Sequence, residues 1–170
     1  MARAEDFLGE VLSSFDLLAP VVGAVRFGQG HINDTFVVHT QPEDRCCRRF
    51  ILQRMSPAAF KRPDQLMENI IGVTDYLGRE IEKNGGDRSR EALEVLRTRN
   101  GKPYYTDEAG GAWRVYPFIE RTICCQSAET PELFAASGRA FGRFQRLLQS
   151  YPAETLHETI PHFHDTEDRL

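Results

Sequence analysis

Lysine is scarce in this chain of 170 residues: Lys61, Lys83 and Lys102 are the only three, and none precedes position 61. The 21 basic residues are scattered against 25 acidic ones for a net charge of −4. The basic stripe by which a nucleic-acid binder meets phosphates is therefore missing. Cysteine is limited to two adjacent pairs, Cys46-Cys47 and Cys124-Cys125. Neither pair has the two-residue gap of zinc knuckles or thioredoxin-like sites, so both read as reduced thiols. No apolar run approaches the roughly 18 residues of a membrane span. Glu5 and Asp6 stand where a secretory signal has basic residues leading into an apolar stretch, and a cytoplasmic location with no membrane partner is expected. What is present, 41 % hydrophobic, 27 % charged and 10 % aromatic residues, excludes wholesale disorder and a disulfide-dense miniprotein. The length suits one domain, or one lobe of a larger enzyme.

Periodicity organises the rest. Phe7, Leu8, Val11, Leu12 and Phe15 recur at helical spacing and predict a covering helix that ends before Pro20. Residues 21–27 and 35–40 are β-rich runs on either side of Gly28-Gln29-Gly30-His31-Ile32-Asn33-Asp34, a hairpin with a glycine-bearing tip. A third strand spans 50–55 and stops at Ser56-Pro57. Pro63 suits a first helical position, Leu66, Ile70, Val73, Leu77 and Ile81 trace one face, and Gly85-Gly86 ends that helix. Residues 93–98, 103–106 and 112–119 read as a meander turned at Asn100-Gly101 and Gly110-Gly111. Thr130 and Pro131 then open a helix over 131–150 whose Phe134, Gly138, Phe141, Gln145 and Leu148 share a face. The fold class expected is α+β. One five-stranded, mostly antiparallel sheet is crossed between its third and fourth strands by the helix at 64–83, in the order of a protein-kinase amino-terminal lobe.

Several residues in this frame have chemistry. Gly28 and Gly30 can adopt positive φ and turn backbone N–H groups into an anion cradle. A Walker loop is excluded, because no lysine followed by Ser or Thr comes after these glycines. With no early lysine, an arginine must hold nucleotide phosphates; alternation puts Leu52 and Arg54 on one face of the third strand, Leu52 against an adenine ring and Arg54 toward its phosphates. Glu68 lies where a partner for that cation is wanted, yet the helical wheel turns it away from the apolar stripe that Asn69 flanks, so either residue is open as the one facing the site. Trp113 to Glu120 is a strand running through Pro117 into a hinge-like loop. Each feature also has a plain structural reading: a simple turn, a solvent-facing strand-end arginine, a solvated glutamate, an edge strand stopped by proline. His157, His162, His164 and Asp165 read as a polar loop and not as a metal centre.

Taken together, the motifs Gly28 to Phe36, Phe50 to Met55, Met67 to Ile70 with Val73-Thr74, Tyr116 to Glu120 and Glu158 to Thr166 resemble the amino-terminal part of the aminoglycoside phosphotransferase and choline kinase-like superfamily. Within it they are most similar to the N-acetylhexosamine 1-kinase branch. The resemblance implies an ATP- and Mg²⁺-dependent kinase acting on the anomeric hydroxyl of N-acetylglucosamine or N-acetylgalactosamine. Carried onto this chain, it implies that Gly28, Gln29, Gly30, His31, Ile32 and Asn33 cover the phosphates, with Arg54 in the lysine's role. Tyr116, Phe118 and Ile119 line the adenine, and Asp34 lies near the transferred group. Residues 1–119 then form the nucleotide-binding lobe, and 120–170 the hinge, a helix and the start of a carboxy-terminal lobe. The catalytic base and metal ligands of the family lie in that lobe, so none is expected here. His164-Asp165 fails as a catalytic loop, because a kinase base is followed by an asparagine and the fifth residue after Asp165 is Leu170. Two alternatives stand beside this reading: a kinase of choline, homoserine or aminoglycoside type, and a non-catalytic kinase-like interaction module.

Overall fold

The structure is a computed structural model that describes residues 7–28, 30–41, 48–125, 127–163 and 165–169. Its elements run α1 (Leu8–Ser13), β1 (Val21–Arg26), β2 (Asp34–Thr40), β3 (Arg49–Arg54), α2 (Pro63–Lys83), α3 (Arg88–Glu91), β4 (Tyr105–Thr106), β5 (Ala112–Pro117), α4 (Pro131–Leu147) and α5 (Thr166–Arg169), with a 3-10 turn at Ala153–Thr155. The architecture is α+β, and the five strands form one open antiparallel sheet in the order β1-β2-β3-β5-β4. The first three strands and both long helices fall where hydrophobic periodicity predicts them. The expected meander is reduced. Residues 93–98 pair only at single points, because Leu96 N–H donates to Val115 O while Arg99 N–H donates to Ser14 O, so no one ladder forms. Pro103, with no N–H to give, leaves β4 two residues long. The short α3 was not expected; Asp87 caps it by accepting from Ser89 N–H at 2.9 Å.

Contacts divide the chain into two compact units: Met1–Asn69 with Val95–Phe118 and His157–Leu170, and Ile70–Glu94 with Ile119–Leu156. The first holds the whole sheet. One face of that sheet is closed: Phe36 and Val38 of β2, Phe50 and Leu52 of β3, and Trp113 and Val115 of β5 pack with Val11, Phe15 and Leu17 from α1 and the residues after it. Val11 and Phe15 are fully buried, and each such side chain contributes about 1.5–3 kcal/mol. At the end of this face Asp107 organises the β4–β5 turn. Its side chain is wholly buried and accepts from Ala109 N–H, Gly111 N–H (2.6 Å) and Trp113 Nε1–H (2.7 Å). A Cβ on Gly111 would stand 2.5 Å from Asp107 Oδ2 and 2.6 Å from Arg54 Nε, which is why glycine occupies that position.

The second unit is helical. Leu77, Ile81 and Ala92 form its small core with Val73, Leu147 and Leu148 beside them, and Arg88 and Asp75 form an ion pair at 2.9 Å. The Asp87 N–H donor, and after it the pairing with Arg143, holds the Glu91 carboxyl below the usual glutamate range. Thr130 caps α4 by accepting from Leu133 N–H, with Pro131 opening the helix as predicted. No residue of α4 is buried, and Phe134 and Phe141 are 72 % and 69 % exposed.

Asp107 generates a stability prediction. Asp107→Asn would turn an amide NH₂ toward either Trp113 Nε1–H or the two backbone donors, and is expected to cost about 2–3 kcal/mol. The neighbouring exposed Glu108→Gln should stay within about 0.5 kcal/mol. Thermal melts of the two variants check this, and equal midpoints would contradict it.

Candidate functional site

A strand presents alternate side chains to opposite faces, so closing one face of the sheet decides which residues are left for a ligand. Leu52 and Arg54 do share a face, but it is the closed one. Leu52 is 0 % exposed in the core, which corrects its expected role against an adenine ring. The Arg54 guanidinium lies 3.9 Å from the Asp107 carboxylate, and 5.8 Å from the Phe7 and Trp113 rings. It lies beside the β4–β5 turn, and no contact of it with the described residues of 28–33 is present.

The open face carries the other phase. Register aligns Phe27, Thr35, Gln53 and Arg114 in one transverse row next to the β1–β2 turn. Val25, Val37, Ile51 and Tyr116 form the next row. Val25 and Phe27 are 57 % and 47 % exposed, whereas Val37 and Tyr116 are buried at 3 % and 7 %, so this face is open along β1 and covered toward β2 and β5. Phe27 meets Phe118 edge to face at 5.8 Å between centroids, and the Arg49 guanidinium lies 4.0 Å over the Phe118 ring. Phe118 continues the β3–β5 pairing through its N–H to Arg49 O. Tyr116 and Phe118, both predicted to line a nucleotide base, thus belong to this face; Ile119 belongs to the second unit.

Gln53 is the hub of the polar row. Its Oε1 accepts from Arg114 Nε (3.2 Å) and Nη2 (3.0 Å) and from the Tyr116 hydroxyl, while its Nε2 donates to Thr35 Oγ1 at 3.0 Å. Burial pushes the Tyr116 phenol up, with Arg114 pulling the other way, so at neutral pH it stays a protonated donor. Arg114 Nη1, like Arg54 Nε on the closed face, is buried and has no hydrogen-bond partner, a state that costs a buried donor about 1–3 kcal/mol. Sequence reasoning missed Gln53 and Arg114. The signal was in the neighbouring strands: Phe36 and Val38 against Thr35 and His39 on β2, and Trp113 and Val115 against Arg114 on β5, already mark the apolar phase that selects Leu52 for the core.

The turn itself is partly as expected. Gly28 has φ +79° with open space where a Cβ would stand. Gly30 does not share the positive φ, a correction to the paired cradle. His31 and Ile32 are exposed, and Asn33 Oδ1 accepts from Ser56 N–H at 3.0 Å, tying the turn to the exit of β3. Gln29 lies outside the described residues. Asp34 turns its carboxylate to Arg26 at 3.0 Å, an exposed pair, and Arg26 stacks over Phe36 on the closed face.

Glu68 and Asn69 share one partner. Glu68 Oε2 meets His157 Nε2 at 2.6 Å, and Asn69 accepts from His157 N–H and donates to His157 O at 2.9 and 2.8 Å. Both side chains therefore secure residue 157 to the start of α2. At that start, Arg62 grips Asp64 through two hydrogen bonds and lowers its carboxyl to about 2. Among the described residues no three His, Cys, Asp or Glu side chains converge to hold a metal ion; His162 Nδ1 lies 3.4 Å from Asp165, and His164 falls outside them. Cys124 and Cys125 are free and exposed, and Cys46-Cys47 also fall outside. No helix among the described residues is long and apolar enough to cross a membrane. A cavity of about 630 Å³ between α1 and the strand entry, lined by Leu12, Leu18 and Arg99 among others, includes none of the predicted site residues. A comparison with the sequence patterns of known protein families finds none that matches.

The turn geometry separates its two glycines experimentally. Gly28→Ala forces an L side chain into the left-handed region and should cost about 1–2 kcal/mol, while Gly30→Ala should stay below about 1 kcal/mol. Denaturant midpoints of the two variants test this; equal losses would contradict the assigned φ values.

Proposed function

We propose that this chain is the nucleotide-binding lobe of an ATP- and Mg²⁺-dependent small-molecule kinase whose acceptor is the anomeric hydroxyl of an N-acetylhexosamine. The observation that carries the reading is the open face of the sheet. Val25 stands exposed on it, with the buried Val37 and half-buried Ile51 behind, beside a polar row and next to a turn whose Gly28 has positive φ and free space. The exposed Val25 and Phe27 side chains suit contact with a purine ring, and backbone N–H groups in such a turn suit phosphate oxygens. The long helix α2 between β3 and β4 is consistent with the crossover helix of a kinase lobe. The acceptor class rests on the resemblance of His31-Ile32-Asn33-Asp34-Thr35 and its companion motifs.

Phosphoryl transfer is mostly positioning and charge stabilisation. The acceptor oxygen forms a bond to the γ-phosphorus, the bond to the β–γ bridging oxygen breaks, and the acceptor proton passes to a base. The residues of this lobe would bind and orient the nucleotide. No ligand set for Mg²⁺ is present among the described residues, so the metal would be held from the carboxy-terminal lobe that the reading requires, together with the base. The unburied face of α4, with Phe134 and Phe141, is the surface such a lobe would cover. The same stripe favours the second reading, a kinase-like module that buries it against a protein partner.

The reading frame beyond Leu170 separates the two: an aspartate-bearing catalytic loop supports the kinase, and a stop codon supports the module. With the following lobe present, ³¹P NMR should show an N-acetylhexosamine 1-phosphate formed from ATP, and none from choline, homoserine or an aminoglycoside. The 170 residues alone should give no turnover above a buffer blank. Turnover by them that Asp165→Asn abolishes would overturn the assignment of the base to another lobe.

A further inference from the structure

We propose that Arg114, seated by Gln53 and Tyr116 on the open face of the sheet, is the cation that receives the phosphates of a bound nucleotide. The inference deepens the nucleotide reading and rests on it. The closed face removes Arg54 from consideration, since that guanidinium neighbours the buried Asp107 carboxylate. On the open face the two arginines differ in place and in partner. Arg49 stands in the row away from the turn, over the Phe118 ring. Arg114 stands in the row that Phe27 and Thr35 share next to the turn, where the phosphates would lie.

Arg114 is held without being neutralised. Two of its nitrogens donate to Gln53 Oε1, a neutral acceptor, and among the described residues no carboxylate pairs with it. A glutamate at position 53 would cancel the charge; glutamine fixes the guanidinium plane and leaves the charge for a ligand. Tyr116 adds a third donor to the same oxygen, and Thr35 anchors the amide from the other side. The hub is therefore rigid and saturated, while Nη1 is buried and has no acceptor. A guanidinium with one edge fixed and one edge unspent is suited to two-point recognition of phosphate oxygens. The lysine missing from the third strand is thus replaced by a pair, Gln53 on β3 for position and Arg114 on β5 for charge.

The test is calorimetric titration of the full chain with ATP, inorganic tripolyphosphate and adenosine, for wild type, Arg114→Gln, Arg114→Lys and Gln53→Glu. Arg114→Gln should weaken ATP and tripolyphosphate at least tenfold and leave adenosine within twofold. Arg114→Lys should fall between, keeping charge but losing the two-point hold. Gln53→Glu should weaken both phosphates as Arg114→Gln does, although the arginine is still present; it carries the test if Arg114→Gln shows no cooperative melt. Unchanged ATP affinity in Arg114→Gln or Gln53→Glu overturns the role of Arg114 and leaves the nucleotide reading standing. Arg114-dependent binding of tripolyphosphate with no adenosine binding, and no gain for ATP, supports the anion seat and overturns the nucleotide reading. Wild type that takes up none of the three overturns both.

Discussion

Which residues of the first unit are left for a candidate site depends on which side of the sheet the core takes. Val11 and Phe15, delivered by α1 and the residue pair after it, close over Leu52, Trp113 and Val115. Because side chains alternate with a period of two, that single packing event assigns every strand residue at once. Leu52 and Arg54 go inward, and Ile51, Gln53, Arg114 and Tyr116 go to the opposite face, where Tyr116 is buried and the other three are partly exposed. A shift of one residue in the pairing of β3 would exchange the two sets. Asp107 helps to prevent that, since its carboxylate ties the β4–β5 turn to the Trp113 indole and lies beside Arg54, the last residue of β3.

The elements were legible where one residue pattern decides them. Leu66, Ile70, Val73, Leu77 and Ile81 give α2 its face, and Thr130 with Pro131 marks the start of α4; both arguments are local. The three long strands of the hairpin and its neighbour were legible for the same reason. The face of β3 was not, because Phe50-Ile51-Leu52-Gln53 is apolar in both phases and the arginine at 54 suggests a polar side. Only pairing with β2 and β5, where the phases differ in polarity, resolves it. Residues 93–98 misled for a related reason. Their β-rich composition is real, yet their backbone donors are shared between β5 and the end of α1, which no local pattern records. The caps and turns at Asp87 and Asp107 were missed because a single side chain accepting several backbone N–H groups has no periodicity.

Two arginines of the same sheet show how partner chemistry separates structure from site. Arg54 neighbours a buried carboxylate, and the pair belongs to the architecture of a turn. Arg114 is fastened by a neutral amide and keeps its charge. The start of α2 follows the structural pattern: Glu68 and Asn69, candidates for a site by position in the sequence, are both committed to His157. Position along the chain nominates residues, and the atoms they already hold decide whether anything is left to offer a ligand.

The central claim is that a ligand meets the open face and not the closed one. Methyl-resolved NMR of the full chain during an ATP titration tests it directly. The account predicts that the methyl signals of Val25 and Ile51 shift while those of Leu52, Val38 and Val115 stay in place. Shifts confined to Leu52, Val38 and Val115, with Val25 and Ile51 unmoved, would contradict it.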